Sequence, residues 1–112
     1  MLLENKVVII TGGSSGMGLG MAKEFVKQGA KVVITGRDAS RLENAKNEIL
    51  TFGTSIETFQ MDVREVNHVE AMVKFTVEKF GRIDSLVNNA AGNFLVQAEK
   101  LSPNGWKAVI DI

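Results

Sequence analysis

Apolar and polar positions along the chain follow two alternating rhythms. Val7-Val8-Ile9-Ile10, Val32-Val33-Ile34-Thr35 and Ile83 to Val87 are short, β-branched and almost continuously apolar, the pattern of strands covered on both faces. Glu57 to Val63, third in chain order, is a further predicted strand. Between the strands, apolar residues recur at helical spacing: Met21, Ala22, Phe25 and Val26 after Gly18; Leu42, Ala45 and Ile49 after Ser40; Val69, Met72, Val73, Thr76 and Phe80 after Asn67. Each set occupies one face of a helix. Ser40 with Glu43 and Asn67 with Glu70 have capping-box spacing, which predicts where the second and third helices begin.

The order β-α-β-α-β-α-β predicts parallel strands joined by right-handed crossovers, with helices on both faces of the sheet. This is an α/β fold, half of a Rossmann-type doubly wound domain. Past the fourth strand, Ser102-Pro103 reads as a helix start, with Trp106, Val109 and Ile110 as the first apolar positions of that helix. A fourth strand with nothing beside it is an open sheet edge, and a helix stopping at Ile112 leaves its apolar side uncovered. Residues 1–112 are therefore expected to be the N-terminal part of a longer single-domain protein, truncated after the fourth strand and the start of the following helix.

Charge narrows the partners. Thirteen Lys+Arg balance 13 Asp+Glu, so there is no general field to attract nucleic acid or an anionic membrane, and neither is expected as a partner. No apolar run is long enough to span a bilayer. The chain has no Cys, which excludes disulfides, thiolate metal sites and a cysteine nucleophile, and suits a cytoplasmic location. The N-terminus lacks the basic start and apolar stretch of a signal peptide. No metal site is expected.

Candidate chemistry concentrates in Thr11-Gly12-Gly13-Ser14-Ser15-Gly16-Met17-Gly18, between the first strand and the first helix. Glycines at 12, 16 and 18 permit positive φ and close approach of backbone to a ligand, and a helix N-terminus offers unpaired N–H groups and partial positive charge. Such a place suits a pyrophosphate, with the Ser14 and Ser15 hydroxyls as further donors. Two other chemistries share parts of this pattern. Gly13 to Gly18 has the spacing of a nucleotide-hydrolase phosphate loop, but Leu19 stands where Lys must be. Gly12-Gly13-Ser14-Ser15-Gly16 also matches the G-x-S-x-G nucleophile elbow of α/β-hydrolases, with Asp62 and the lone His68 following in the order Ser, Asp, His. Against it, that elbow normally follows several strands, and His68 lies on the first turn of a predicted surface helix.

Three motifs at three successive strand ends resemble one family. The T-G-G-x-x-G-x-G turn at Thr11 to Gly18, Asp62-Val63 closing the third strand and Asn88-Asn89-Ala90-Ala91-Gly92 closing the fourth look like short-chain dehydrogenases/reductases. The additional Ala91, with Asn93-Phe94 and the tail Leu101 to Lys107, is similar to the 2,4-dienoyl-CoA reductase branch. The resemblance implies an NADPH-dependent reductase of conjugated dienoyl thioesters in fatty acid breakdown, with an acyl-CoA substrate and a homotetrameric assembly. It also implies residue roles. Gly12, Ser14, Ser15, Gly16, Met17 and Gly18 would hold the phosphates and adenosine ribose. Asp62, assisted by the Val63 backbone, would accept from the adenine amino group, and Asn89, Ala90 and Gly92 would line the nicotinamide-side ribose. Phe94 would touch the acyl chain. The family's Tyr-x-x-x-Lys unit is not found, since the chain has no Tyr, so no catalytic residue is named.

Cofactor preference follows from charge at the end of the second strand. The position about 18 residues beyond the last glycine of the turn, where a carboxylate would bind the 2′-hydroxyl of NADH, is Gly36. Arg37 follows it, and a guanidinium pairs well with the 2′-phosphate of NADPH. Asp38 is assigned to the start of the second helix. Two alternatives remain open on the sequence: a reductase of the same family acting on a ketone, β-ketoacyl or sterol substrate, and a non-catalytic dinucleotide-binding module.

Overall fold

The computed structural model of the protein describes residues 3–62 and 65–89, and the backbone of a strand at 107–110. In chain order the elements are β1 (Val7–Thr11), α1 (Gly16–Lys27), β2 (Lys31–Gly36), α2 (Ala39–Ile49), β3 (Ile56–Gln60), α3 (Val66–Phe80), β4 (Ser85–Asn88) and β5 (Lys107–Ile110). All pairings are parallel, and the spatial order is β3-β2-β1-β4-β5. The predicted doubly wound α/β sheet is therefore the observed one.

Two cores sandwich the sheet, as parallel strands require. Val8, Ile10, Val32 and Ile34 pack on one side with Ala22 and Val26 of α1 and Leu42, Ala45 and Ile49 of α2. Ile9, Val33 and Leu86 pack on the other with Val69 and Met72 of α3. Alternate residues of each strand thus feed opposite cores, so every apolar position of β1 and β2 is buried. β3 lies at an edge and only its first residue, Ile56, is buried. Phe59 of β3 stacks against Phe75 of α3 with ring centroids 5.1 Å apart.

The structure moves several predicted boundaries, each for a tertiary reason. β3 stops at Gln60 rather than Val63 because its partner β2 stops at Gly36, the residue in register with Gln60. Asp62 therefore lies past the sheet, and Val63 is outside the described residues. The second helix is capped by Asp38, whose carboxylate accepts from the Ser40 N–H at 2.9 Å and the Arg41 N–H at 3.1 Å. Ser40 is thus inside the helix and not its cap. α3 begins after Glu65, without a side-chain cap, so the expected Asn67–Glu70 box does not form. A backbone turn, Glu65 N–H to Asp62 C=O at 3.0 Å, starts that helix early.

The largest change is at 107–110. These residues were expected on a helix begun at Ser102-Pro103, and they form a strand paired with β4, Ser85 opposite Lys107 through Asn88 opposite Ile110. The exposed N–H and C=O groups of β4 are a template for a strand, and Lys107-Ala108-Val109-Ile110 can supply one. Ser102, Pro103 and Trp106 lie outside the described residues.

Asp84 locks the start of β4 to the start of β1. Its carboxylate accepts from the Val7 N–H at 2.8 Å, its own N–H donates to the Val7 carbonyl at 2.8 Å, and Arg82 pairs with its other oxygen. Burial alone would raise its pKa, but the Val7 N–H, Arg82 and Lys6 outweigh that and hold the carboxyl below its ordinary value. A lowered folded pKa stabilises the fold above the ordinary carboxylate range, and that contribution is lost as pH falls through the lowered value. Asp84→Asn should therefore cost on the order of 1–2 kcal/mol at neutral pH, the scale of hydrogen bonds to charged groups. In denaturant unfolding across pH, the gap to wild type should close as pH falls through that lowered value.

Candidate functional site

The C-terminal ends of β1, β2 and β4 meet around the glycine-rich turn. The chain runs outward from β1 to β2 and β3, then returns to place β4 on the other side of β1. The crevice at such a reversal is where open α/β sheets bind ligands.

The turn is compact because its glycines have no side chains. Gly12 and Gly16 have φ of 68° and 58°, in the left-handed region that other residues rarely adopt. A Cβ on Gly18 would lie 2.4 Å from the Gly12 carbonyl oxygen and 2.6 Å from Asn89 Nδ2. Any larger residue there forces α1 away from the turn. Gly13 is equally constrained, since a Cβ would lie 2.5 Å from Ile34 Cγ2. Sequence reasoning did not single out Gly13, although its place beside Gly12 was the available signal.

Hydrogen bonds tie the turn to both neighbouring strands. The Gly12 and Gly13 N–H groups donate to the Thr35 carbonyl at 3.0 and 3.2 Å. Asn89 Nδ2 donates to the Gly12 carbonyl at 3.1 Å, and the Asn89 N–H donates to Thr11 Oγ1 at 3.1 Å. Thr11 Oγ1 in turn lies 3.2 Å from Asn88 Oδ1 and 3.4 Å from the Val87 carbonyl. Thr11 and Asn88 are buried and were not among the residues expected to build the site. A hydroxyl ending an otherwise apolar strand was the hint.

Helix α1 presents an open N-terminus. Ser15 is in extended conformation at the cap position, its side chain bonds none of the first N–H groups, and the first turn carries no acidic residue. The helix's partial positive charge is thus left for a ligand. Ser15 and Gly16 are exposed, Ser14 is half-buried, and Met17 stands 60% exposed beside them.

The other expected residues fall along the same rim. A Cβ on Gly36 would lie 3.6 Å from Ser14 Oγ and 3.5 Å from Leu42 Cδ2, ordinary contact distances. Arg37 is exposed next to it, its carbonyl held by Gln60 Nε2 at 3.0 Å. Asp62 is half-buried, and the preceding Met61 N–H bonds the Gly36 carbonyl at 2.9 Å. The structure therefore brings Gly12, Ser14, Ser15, Gly16, Met17, Gly18, Arg37, Asp62 and Asn89 to one edge. Val63, Ala90, Gly92 and Phe94 lie outside the described residues.

The two rival chemistries do not fit this geometry. Leu19, at the position of the phosphate-loop Lys, packs against the core on the α1 side. His68 Nδ1 accepts from the backbone N–H of Asp62 at 3.0 Å, so the ring nitrogen that a triad would aim at the carboxylate is engaged elsewhere. Among the described residues, no group of His, Asp and Glu is placed to hold a metal ion, and no helix is long and apolar enough to cross a membrane. The positive-φ turn, the uncapped helix and the absence of a side chain at Gly36 do fit a dinucleotide.

Comparison with known proteins agrees. A profile described as short chain dehydrogenase matches residues 6–112. The chain is 56% identical over 110 residues to a probable 2,4-dienoyl-CoA reductase [(2E)-enoyl-CoA-producing] of Bacillus subtilis, covering 98% of this chain and 43% of the relative. A crystal structure of a short chain dehydrogenase from Bacillus anthracis is 60% identical with a TM-score of 0.76, covering 93% of this chain and 42% of that one. A metagenomic short-chain oxidoreductase in complex with NADP is 33% identical with a TM-score of 0.77, covering 82% of this chain and 42% of that one. The chain spans less than half the length of each of these proteins. By its strand-end motifs, its sheet order and these likenesses, the chain belongs to the short-chain dehydrogenase family of oxidoreductases.

Proposed function

We propose that residues 1–112 form the cofactor-binding part of a longer, single-domain, NADPH-dependent reductase that acts on the conjugated double bond of a 2,4-dienoyl-CoA. The observation that carries the cofactor reading is the glycine turn and open α1 N-terminus at the sheet reversal, with a bare Gly36 and an exposed Arg37 on the rim. The substrate reading rests on likeness to the Bacillus subtilis relative across nearly the whole chain.

In this reading the N–H groups that follow Gly13 in the turn and those of the first turn of α1 bind the pyrophosphate, helped by the Ser14 and Ser15 hydroxyls. Arg37 pairs with the 2′-phosphate. Asp62 accepts from the adenine amino group with the Val63 backbone beside it, and Met17 gives an apolar contact near the turn. Asn89, Ala90 and Gly92 line the nicotinamide-side ribose. The Asn89 amide, bonded to the Gly12 carbonyl, holds the phosphate and nicotinamide sides in one geometry. Phe94 contacts the acyl chain. When bound, NADPH supplies the hydride. The groups that manage protons belong to the part of the enzyme beyond this chain.

Three outcomes follow for the full-length protein. Arg37→Leu should weaken NADPH by about 1–3 kcal/mol, the range for hydrogen bonds to charged groups, and leave NADH nearly unchanged in titrations of cofactor binding; equal losses would make Arg37 a structural residue. Gly36→Asp should fold, because a Cβ at that position meets only ordinary contacts. Its carboxylate should cost NADPH about 10-fold or more in Kd through like-charge repulsion and improve NADH. In assays of NADPH consumption, a 2,4-dienoyl-CoA should turn over faster than ketones or β-ketoacyl thioesters. The reverse order would assign the enzyme to carbonyl reduction.

A further inference from the structure

Past the end of the sheet, the segment carrying Asp62 is held by a helix rather than by a strand. β2 ends at Gly36, so the last ladder-like bond on this side is Met61 N–H to the Gly36 carbonyl. The next donor, the Asp62 N–H, has no strand to pair with. It donates to His68 Nδ1 at 3.0 Å. The Asp62 carbonyl accepts from the Glu65 N–H at 3.0 Å, and the His68 N–H donates to the Glu65 carbonyl at 3.0 Å. Both backbone polar groups of Asp62 are thereby fixed by the first turn of α3. That turn is itself fixed, since Val69, next to His68, is fully buried against the sheet with Met72 one turn on.

We propose that His68 is a positioning residue for adenine recognition. Its Nδ1 sets the backbone of Asp62, and through it the direction from which the Asp62 carboxylate reaches the adenine amino group; the inference rests on the reading of Asp62 given above. A side chain in this place needs an acceptor two bonds beyond its Cβ. Histidine Nδ1 meets that need, and so does asparagine Oδ1; leucine fills similar space without an acceptor. With Nδ1 accepting, the neutral ring carries its proton on Nε2, which is the tautomer the hydrogen bond selects. His68 is exposed and serves here neither as a core residue nor as a general base.

The test is a comparison of two nucleotides in the full-length protein: NADPH and its hypoxanthine analogue, in which a carbonyl oxygen replaces the adenine amino group. Wild type should bind NADPH tighter by about 10-fold or more, the worth of one hydrogen bond to a carboxylate. His68→Leu should weaken NADPH to within about 2–3-fold of the analogue while leaving the analogue nearly unchanged, and His68→Asn should restore the wild-type ratio. A general loss of packing would weaken both nucleotides together. If the leucine variant does not fold, His68→Gln takes its place, because its acceptor lies one bond too far out and should also lose the ratio. A wild-type ratio in the leucine or glutamine variant, or an asparagine variant that behaves like leucine, overturns the role of His68. A wild type that does not distinguish the two nucleotides overturns the reading of Asp62 and this inference with it.

Discussion

The parallel pairing of β1 with β4 is the constraint on which the rest of the structure depends. β1 already pairs with β2 on one side, so the chain can add β4 in parallel only by crossing back over the sheet, and that crossing opens the crevice. The pairing is pinned at both ends. Asp84 exchanges two hydrogen bonds with Val7 at the start, and the Thr11 hydroxyl joins Asn88 and Asn89 at the finish. A slip of one residue would turn Leu86 out of its core and withdraw the Asn89 amide from the Gly12 carbonyl.

The bonds that set this register are also the walls of the site. Gly12 donates to Thr35 of β2 and accepts from Asn89 beyond β4, so the turn is tied to the strands that flank β1 on its two sides. Gly18 closes it from the helix side, where even a methyl group would collide with the Gly12 carbonyl. These bonds hold the turn and the start of α1 in one fixed relation to the sheet.

Much of this was legible along the chain because it is local. The apolar runs of β1 and β2, the helical stripes of α1 to α3 and the glycine turn depend on residues within one element or one turn, and periodicity reports such residues directly. Asp38 was legible for the same reason: its capping chemistry acts within a few residues. His68 falls on a predicted surface helix, and it is exposed. Its bond to Asp62 spans six residues and a change of direction, which spacing alone does not reveal.

Where elements stop was decided by their partners in space. β3 ends at Gln60 because β2 has already ended, although the sequence to Val63 would support a longer strand. Lys107 to Ile110 pairs as a strand because β4 offers an unpaired edge, although Ser102-Pro103 signals a helix ahead of it. Local preference amounts to a few tenths of a kcal/mol per residue, whereas satisfying backbone N–H and C=O groups amounts to about 1 kcal/mol for each bond. The sequence alone determined the order of elements from β1 to β4, the faces they bury and the turn that faces the crevice. Tertiary structure decided the register, the strand ends and the fastening of Asp62 and Asn89, because each of these depends on a hydrogen-bond partner distant in the chain.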